Sequence, residues 1–128
     1  MRPAVRIISF GYLHPGPPPE AHLTIDLRHH FRDPHISPDL KYMTAHDAEV
    51  RTTVLNTPGI GALIDSTATA VAAFALGPSA TTVRVSVGCA GGRHRAPTFA
   101  MALAAQLRAL GFEVTVNDLD LAKPVVTR

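Results

Sequence analysis

The alternation of apolar and polar residues predicts four β-strands. Apolar positions recur at every second residue in four segments, and glycine, proline or polar clusters bound each segment. These segments are residues 5–10, 23–28, 82–87 and 112–116. Because residues two apart in a strand share a face, we expect the side chains of Asp26 and Arg28 to point the same way.

A spacing of three to four residues between apolar positions predicts three helices. Thr44 and Asp47 are spaced as an N-cap and its acidic N3 partner. Thr57-Pro58 has the pattern of a second N-cap followed by proline, and Gly111 is placed to end the third helix. The apolar positions of the second and third helices are Ile60, Leu63, Ile64, Thr67, Val71, Phe74 and Ala75, then Phe99, Leu103, Leu107 and Leu110.

Strands that alternate with helices favour an α/β class, here a small layered fold of about four mostly parallel strands with flanking helices. The chain has 128 residues and no evident linker, so we expect a single domain over residues 1–128. In such sheets, ligands bind beyond the carboxyl ends of the strands. The loops after Phe10, Arg28 and Val87 are therefore expected to meet at one edge and to carry the function.

Composition narrows the class of protein. Hydrophobic residues make up 46% and charged residues 17%, which excludes wholesale disorder. The net charge of +2 permits an acidic partner without requiring one. The single cysteine cannot form an internal disulfide. The N-terminal residues lack a signal-peptide pattern and polar residues interrupt the most apolar stretch, so we expect a cytoplasmic protein without a membrane partner.

The third predicted strand runs directly into the glycine loop, defined as Gly88-Cys89-Ala90-Gly91-Gly92-Arg93-His94-Arg95, and then into a helix. Glycines allow successive backbone N–H groups to face one ligand, and the helix N-terminus adds unpaired amides and a positive dipole end. Arg95 can close such a cradle with a bidentate guanidinium. The loop therefore predicts an anion site. The alternative is a tight turn that needs glycine for packing only, and His94 either binds a phosphate oxygen or packs at the helix start.

The Cys-x5-Arg spacing of Cys89 and Arg95 is also that of cysteine phosphatases, in which a thiolate attacks phosphorus. Catalysis by these two residues is therefore an alternative to simple binding. Ala96 stands where a hydroxyl residue commonly follows the arginine. Asp26 or Asp33 would be the general acid.

The glycine loop closely resembles the Gly-Cys-Thr-Gly-Gly-Lys/Arg-His-Arg-Ser segment in the C-terminal domain of RapZ-type RNase adapter proteins, a family also called nucleotide-binding proteins. Four further motifs resemble that domain, and together they extend over nearly the whole chain. They are Ser9-Phe10-Gly11-Tyr12, Ile25-Asp26-Leu27-Arg28, Asp33-Pro34-His35 and Met43-Thr44-Ala45-His46-Asp47. The chain is thus expected to be this domain as a stand-alone unit.

The resemblance implies a sensor or adapter domain that binds a phosphorylated small molecule, an amino-sugar phosphate such as glucosamine 6-phosphate. It implies that the loop amides and Arg95 bind the phosphate, whereas Asp26 and His35 contact the sugar hydroxyls and amine. The implied ligand-binding residues are Asp26, His35, Cys89, Ala90, Gly91, Gly92, His94 and Arg95. No metal site, cofactor or catalytic residue is expected on this interpretation.

The chain also departs from the family pattern. It lacks the Gly-x4-Gly-Lys-Ser/Thr motif of longer relatives, so ATP binding is not expected. Where RNA-binding relatives have a basic tail it has Asn117-Asp118-Leu119-Asp120, and alanines replace hydroxyl residues at Ala90 and Ala96. An RNA-binding regulatory module is the second alternative. A protein partner and a homo-oligomer are left open.

Overall fold

The computed structural model describes residues 4–127. These residues form a four-stranded, fully parallel β-sheet. Its strands are β1 (Val5–Gly11), β2 (Leu23–Asp26), β3 (Val83–Cys89) and β4 (Val114–Asp118), in the order β2-β3-β1-β4. Each neighbouring pair is parallel. The small layered α/β fold expected from the sequence is confirmed.

Three α-helices are found among the described residues: α1 (Ala48–Leu55), α2 (Ile60–Ala75) and α3 (Arg95–Ala109). A 3₁₀ helix at Pro34–Ile36 interrupts the long loop after β2. The third helix lies against β1, β3 and β4, and α2 packs beside it. The hydrophobic core forms between this helix layer and one face of the sheet.

The two faces of the sheet differ in what covers them. Val85, Val87 and Cys89 alternate along β3 into the core under α3. Gly88 faces the opposite side, where a Cβ atom would lie 2.4 Å from the Tyr12 ring. Phe10 packs edge-on against that ring, with 4.7 Å between the centroids. Aromatic side chains from β1 and its loop therefore cover the carboxyl end of this second face.

The first two helices begin later than predicted. The N-cap of α1 is Asp47, not Thr44. The Thr44 hydroxyl accepts the amide hydrogen of His46 and the Asp47 carboxylate accepts that of Thr44, so the predicted pair closes a turn that precedes the helix. The N-cap of α2 is Gly59, at a φ of 91°. Thr57 lies two residues before this N-cap, and its hydroxyl donates to the Thr53 carbonyl in the last turn of α1.

The second strand ends two residues earlier than predicted. Leu27 still donates its amide hydrogen to the Gly88 carbonyl, at 2.8 Å. The next amide, that of Arg28, turns back and donates to the Asp26 carboxylate at 2.9 Å. This local bond ends the ladder and starts the long loop.

Within residues 4–127, no single helix has the length and apolar composition needed to cross a membrane. Helices α1 and α2 reach that length and composition only when taken together, and an angle of 83° separates them.

Candidate functional site: the glycine loop and its surroundings

The carboxyl ends of β1, β2 and β3 meet at one edge of the sheet, as expected. Tyr12, just beyond β1, donates its amide hydrogen to the Cys89 carbonyl at 2.9 Å. Asp26, at the end of β2, is the register partner of Gly88. The glycine loop thus lies between the segments that follow the other two strands.

The carbonyl groups of three successive loop residues, Cys89, Ala90 and Gly91, all accept hydrogen bonds from the segment after β1. The donors are, in order, the amide of Tyr12 at 2.9 Å, the amide of Leu13 at 3.0 Å and Nε2 of His14 at 3.1 Å. In a trans peptide group, the N–H points opposite to its carbonyl. The three amides in these peptide groups therefore face away from the segment after β1.

Those three amides belong to Ala90, Gly91 and Gly92. The Gly92 amide donates to Sγ of Cys89 at 3.3 Å. The amides of Ala90 and Gly91 find no acceptor among the residues that the structure describes. One side of the loop is bonded to the protein, and the other side keeps unpaired donors.

Close approach of the chain to itself explains two of the glycines. A Cβ atom on Gly11 would lie 2.5 Å from the carbonyl carbon of Gly91. Gly92 has a φ of 77°, and a Cβ there would lie 2.8 Å from Cβ of Asp120. Gly11 and Gly92 are therefore needed for packing. The free amides of Ala90 and Gly91 are in addition able to donate to an anion.

The Arg95 side chain is buried, with 2% of its surface exposed, and most of its donors are occupied. Its Nη1 donates to the carbonyls of Leu27, Arg28 and Phe31 at 2.8–3.1 Å. Its Nη2 lies 3.3 Å from Oδ2 of Asp33. Only Nε is buried without a partner among the described residues. The guanidinium therefore fastens the loop after β2. Both of its terminal nitrogens have protein partners, whereas the sequence suggested that they would be available for a phosphate.

The other two basic residues of the loop also hold neighbouring segments. Nε2 of His94 donates to the Met43 carbonyl at 2.8 Å, which is the packing alternative for this side chain. Burial lowers the pKa of His94 below its usual value, and hydrogen bonding to backbone groups partly opposes that shift. Arg93 donates to the carbonyls of Tyr42 and Lys123. A bond from His94 to a phosphate oxygen stays a prediction.

Asp26 and Arg28 form an ion pair on the second face of the sheet, so their side chains do point the same way. The shortest contact, between Oδ2 of Asp26 and Nη2 of Arg28, is 2.7 Å. Arg28 lowers the pKa of the Asp26 carboxyl by hydrogen bonding to it. The guanidinium carbon also lies 3.6 Å from the centre of the Tyr12 ring. Burial and the charge of Asp26 raise the pKa of Tyr12.

Sequence reasoning gave Tyr12 no role of its own. The signal was present, because Phe10 and Tyr12 continue the alternation of β1 into the following loop. Their position over Gly88, which has no side chain, could have been expected only with the strand order known.

The implied ligand residues divide between the two faces. Cys89 faces the helix layer, whereas Asp26 has the register of Gly88 and lies on the opposite face. His35 lies in the 3₁₀ helix, where its amide donates to Asp33 at 3.0 Å. Since Asp33 also contacts Arg95, the His35 segment is fastened to the start of α3. The loop is thus linked to the His35 segment through Asp33, whereas Asp26 lies on the other face of the sheet.

A cleft of about 210 Å³ opens on the β1 side of the glycine loop. Its walls include Phe10, Tyr12 and the proline-rich stretch of residues 15–19, and Asp120 and Lys123 line one end. The cleft is small against the roughly 300–1,000 Å³ typical of drug-sized ligand pockets. Within residues 4–127, no group of three or more His, Cys, Asp or Glu side chains is placed to hold a metal ion.

The fold and this loop define a parallel α/β domain with a glycine-rich turn between a central strand and the helix that follows. The family model for the RapZ C-terminal domain matches residues 3–122, and the chain belongs to that family. Curated relatives named nucleotide-binding protein include one from Streptomyces coelicolor, 36% identical over 120 residues, and one from Thermobifida fusca, 35% identical over 120 residues. Each match covers 91% of this chain and 40% of the relative. A relative from Limosilactobacillus fermentum is 32% identical over 122 residues, which is 93% of this chain and 42% of that protein. The chain therefore spans about 40% of the length of these relatives.

Proposed function

We propose that this domain binds a phosphorylated small molecule at the glycine loop and acts as a sensor or adapter. The observation that carries the proposal is the orientation of three successive peptide groups, whose carbonyls bond to the segment after β1. The unpaired amides of Ala90 and Gly91 are adjacent donors on the free side of the loop, and adjacent free amides suit an anion.

The start of α3 adds to the positive potential at the same place. This helix has 15 residues and no side chain caps its first turn. Its free amides and positive dipole end favour an anion. Nε of Arg95 is buried at the start of this helix and has no partner among residues 4–127, so we propose it as one further donor. A phosphate has several acceptor oxygens and can engage more than one of these groups.

An amino-sugar phosphate is the specific ligand that we propose. The family resemblance assigns Asp26 and His35 to the sugar. Asp26 ends the strand next to Gly88 and keeps a carboxylate at the sheet edge, which suits an ammonium group. Arg28 now holds that carboxylate, so a sugar amine would share or replace this exposed contact.

The name of the relatives mentions nucleotides, but it describes proteins of which this chain spans about 40%. The Gly-x4-Gly-Lys-Ser/Thr motif is absent from the sequence. We therefore propose that the phosphate, and not a nucleoside, is what the loop recognises.

Thermal unfolding with inorganic phosphate, glucosamine 6-phosphate, glucosamine or ATP tests the proposal. A ligand at about 100 times its Kd adds roughly 2.7 kcal/mol to the free energy of unfolding. We expect the largest rise in Tm with glucosamine 6-phosphate, and shifts of the Ala90 and Gly91 amide resonances in ¹H–¹⁵N NMR spectra. If no phosphate compound raises Tm or moves these resonances, the proposal is wrong.

Two substitutions at one position provide a matched comparison. Ala90 is partly exposed, so a longer side chain can be accommodated there. Ala90→Asp places a carboxylate beside the free amides and should abolish binding by charge repulsion. Ala90→Ser adds only a hydroxyl and should retain it. Equal affinity in both variants would exclude the loop as the binding site.

A cysteine phosphatase is the second candidate, favoured by the contact between the Gly92 amide and Sγ of Cys89. Against it, Arg28 holds Asp26 and Arg95 holds Asp33, the two candidates for general acid. Hydrolysis of p-nitrophenyl phosphate that disappears in Cys89→Ser would favour the enzyme. RNA binding that weakens steeply with salt would favour the RNA-binding alternative instead.

A further inference from the structure

The end of β4 and the segment after it carry two carboxylates, those of Asp118 and Asp120, and each has a partner inside the molecule. Asp118 accepts the hydroxyl hydrogen of Ser9 at 2.6 Å. Asp120 accepts the amide hydrogen of Gly11 at 2.7 Å, and it lies 2.6 Å from Nζ of Lys123. The two acidic residues therefore have different environments, although they are only two positions apart.

Asp120 contacts the support of the glycine loop. Its side chain is buried and accepts the amide hydrogen of Gly11. Gly11 in turn packs closely against the Gly91 backbone, since a Cβ atom on Gly11 would lie 2.5 Å from the Gly91 carbonyl carbon. Cβ of Asp120 also limits the space at Gly92, where a Cβ atom would lie 2.8 Å away. The Asp120 side chain thus lies at the junction between β1 and the loop, with its carboxylate bonded to Gly11 and its Cβ beside Gly92.

Lys123 completes this arrangement. Its ammonium group compensates the charge of Asp120, so the carboxylate does not stand as an unpaired negative charge behind the loop. Its backbone carbonyl accepts a hydrogen bond from Arg93 of the loop itself. Residues 120–123 are therefore fastened at both ends, to Gly11 by the side chain of Asp120 and to the loop by the carbonyl of Lys123.

We propose that Asp120 is a positioning residue for the anion site. It fixes Gly11, Gly11 supports Gly91, and this support keeps the Ala90 and Gly91 amides turned toward the ligand. The inference rests on the proposed phosphate binding at the loop. It assigns the segment after β4 to the site, although that segment supplies no group to the ligand.

Three variants test this role. Asp120→Ala leaves the Gly11 amide without an acceptor, whereas Asp120→Asn keeps an oxygen that can accept its hydrogen. Asp118→Asn is the matched control, because the Asp118 carboxylate bonds to Ser9, which lies outside the loop. Binding of inorganic phosphate and of glucosamine 6-phosphate is measured by calorimetry, and the loop amides are followed by ¹H–¹⁵N NMR.

We expect Asp120→Ala to raise the Kd for both probes by about tenfold or more, comparable to the loss when a group that orients a metal-binding side chain is removed. Asp120→Asn should recover part of the affinity, and Asp118→Asn should bind like the wild type. The Gly91 and Gly92 amide resonances should shift in Asp120→Ala but not in Asp118→Asn.

The outcomes separate this inference from the proposed function. A wild-type chain that binds neither probe contradicts the proposed function, and the Gly91 and Gly92 resonances then decide the positioning role alone. Unchanged affinity and unchanged resonances in Asp120→Ala overturn the inference. If that variant fails to fold, Asp120→Leu takes its place, because it also lacks an acceptor for the Gly11 amide but keeps more of the side-chain volume. Wild-type affinity with wild-type loop resonances in Asp120→Leu is then the overturning result.

Discussion

At the scale of single residues, the basic side chains of the glycine loop act mainly on the protein itself. Arg93, His94 and Arg95 each donate to backbone carbonyls of another segment. These carbonyls belong to loops with little regular structure, which would otherwise have few partners for their polar groups. The loop that presents donors to a ligand is therefore also the centre that holds its surroundings together.

Replacement of Arg95 by methionine tests this structural role. It removes the donor for three carbonyls and the buried partner of the Asp33 carboxylate, so we expect the free energy of unfolding to fall by about 3–5 kcal/mol. Urea unfolding measures the change. Arg84→Met is the control, since Arg84 is exposed and the change should stay within about 0.5 kcal/mol. A similar loss in both variants would contradict the assignment.

The buried His94 predicts a pH dependence of stability. Its pKa is lowered in the folded state, so the unfolded chain binds more protons between the folded value and about 6.5. The stabilising contribution is fully present above about pH 6.5 and is lost as the pH falls toward the folded pKa. We expect Tm to decrease over this range, and to decrease less in His94→Gln, whose amide can still donate to the Met43 carbonyl. Equal slopes in the two proteins would show that other groups cause the effect.

At the scale of elements, pattern reasoning identified each strand and helix but misplaced several ends. Alternation and helical spacing arise because one face of each element is buried against the core. Many residues contribute to each pattern, so the pattern identifies the element even when one residue departs from it. An element end depends on one local bond, such as the turn of the Arg28 amide back to Asp26 or the Thr57 hydroxyl bonded to Thr53. Such a competition between a cap, a turn and a side-chain bond is not visible in the periodicity.

Two glycines with different surroundings show how much an element junction constrains the sequence. Gly92→Ala puts a Cβ atom against Asp120 at a φ of 77°, so we expect a loss of about 1–3 kcal/mol in the free energy of unfolding. Gly61→Ala, inside α2 with nothing within 4 Å, should gain about 0.5–1 kcal/mol. Thermal unfolding of both variants measures the contrast. A neutral Gly92→Ala would mean that the junction is not tightly packed.

At the scale of the whole molecule, the sequence predicted the parallel sheet and the edge where its loops meet, because both follow from the alternation of strands and helices. It could not predict which distant residues meet at that edge. Gly11 and Asp120 are 109 positions apart, and their contact depends on β4 lying beside β1. The same holds for Asp26, whose separation from Cys89 onto the opposite face follows from register alone.

The strand order also predicts how local stability is distributed. Strands β3 and β1 are central and β2 and β4 lie at the edges. Amide hydrogen exchange should therefore be slowest in β1 and β3, because their amides open only with the sheet. Exchange measured by NMR checks this order. Faster exchange at Val85 or Ile7 than at Thr24 would be inconsistent with it.

The carbonyl groups that face the segment after β1 have a consequence for the kinetics of binding. Since Tyr12, Leu13 and His14 hold the glycine loop without a ligand, the conformational entropy of ordering the loop is lost during folding and not on association. An anion would then meet donors already in place, and its association rate would vary little from one phosphate compound to another. Selection among phosphate compounds would be expressed in how long each one stays bound.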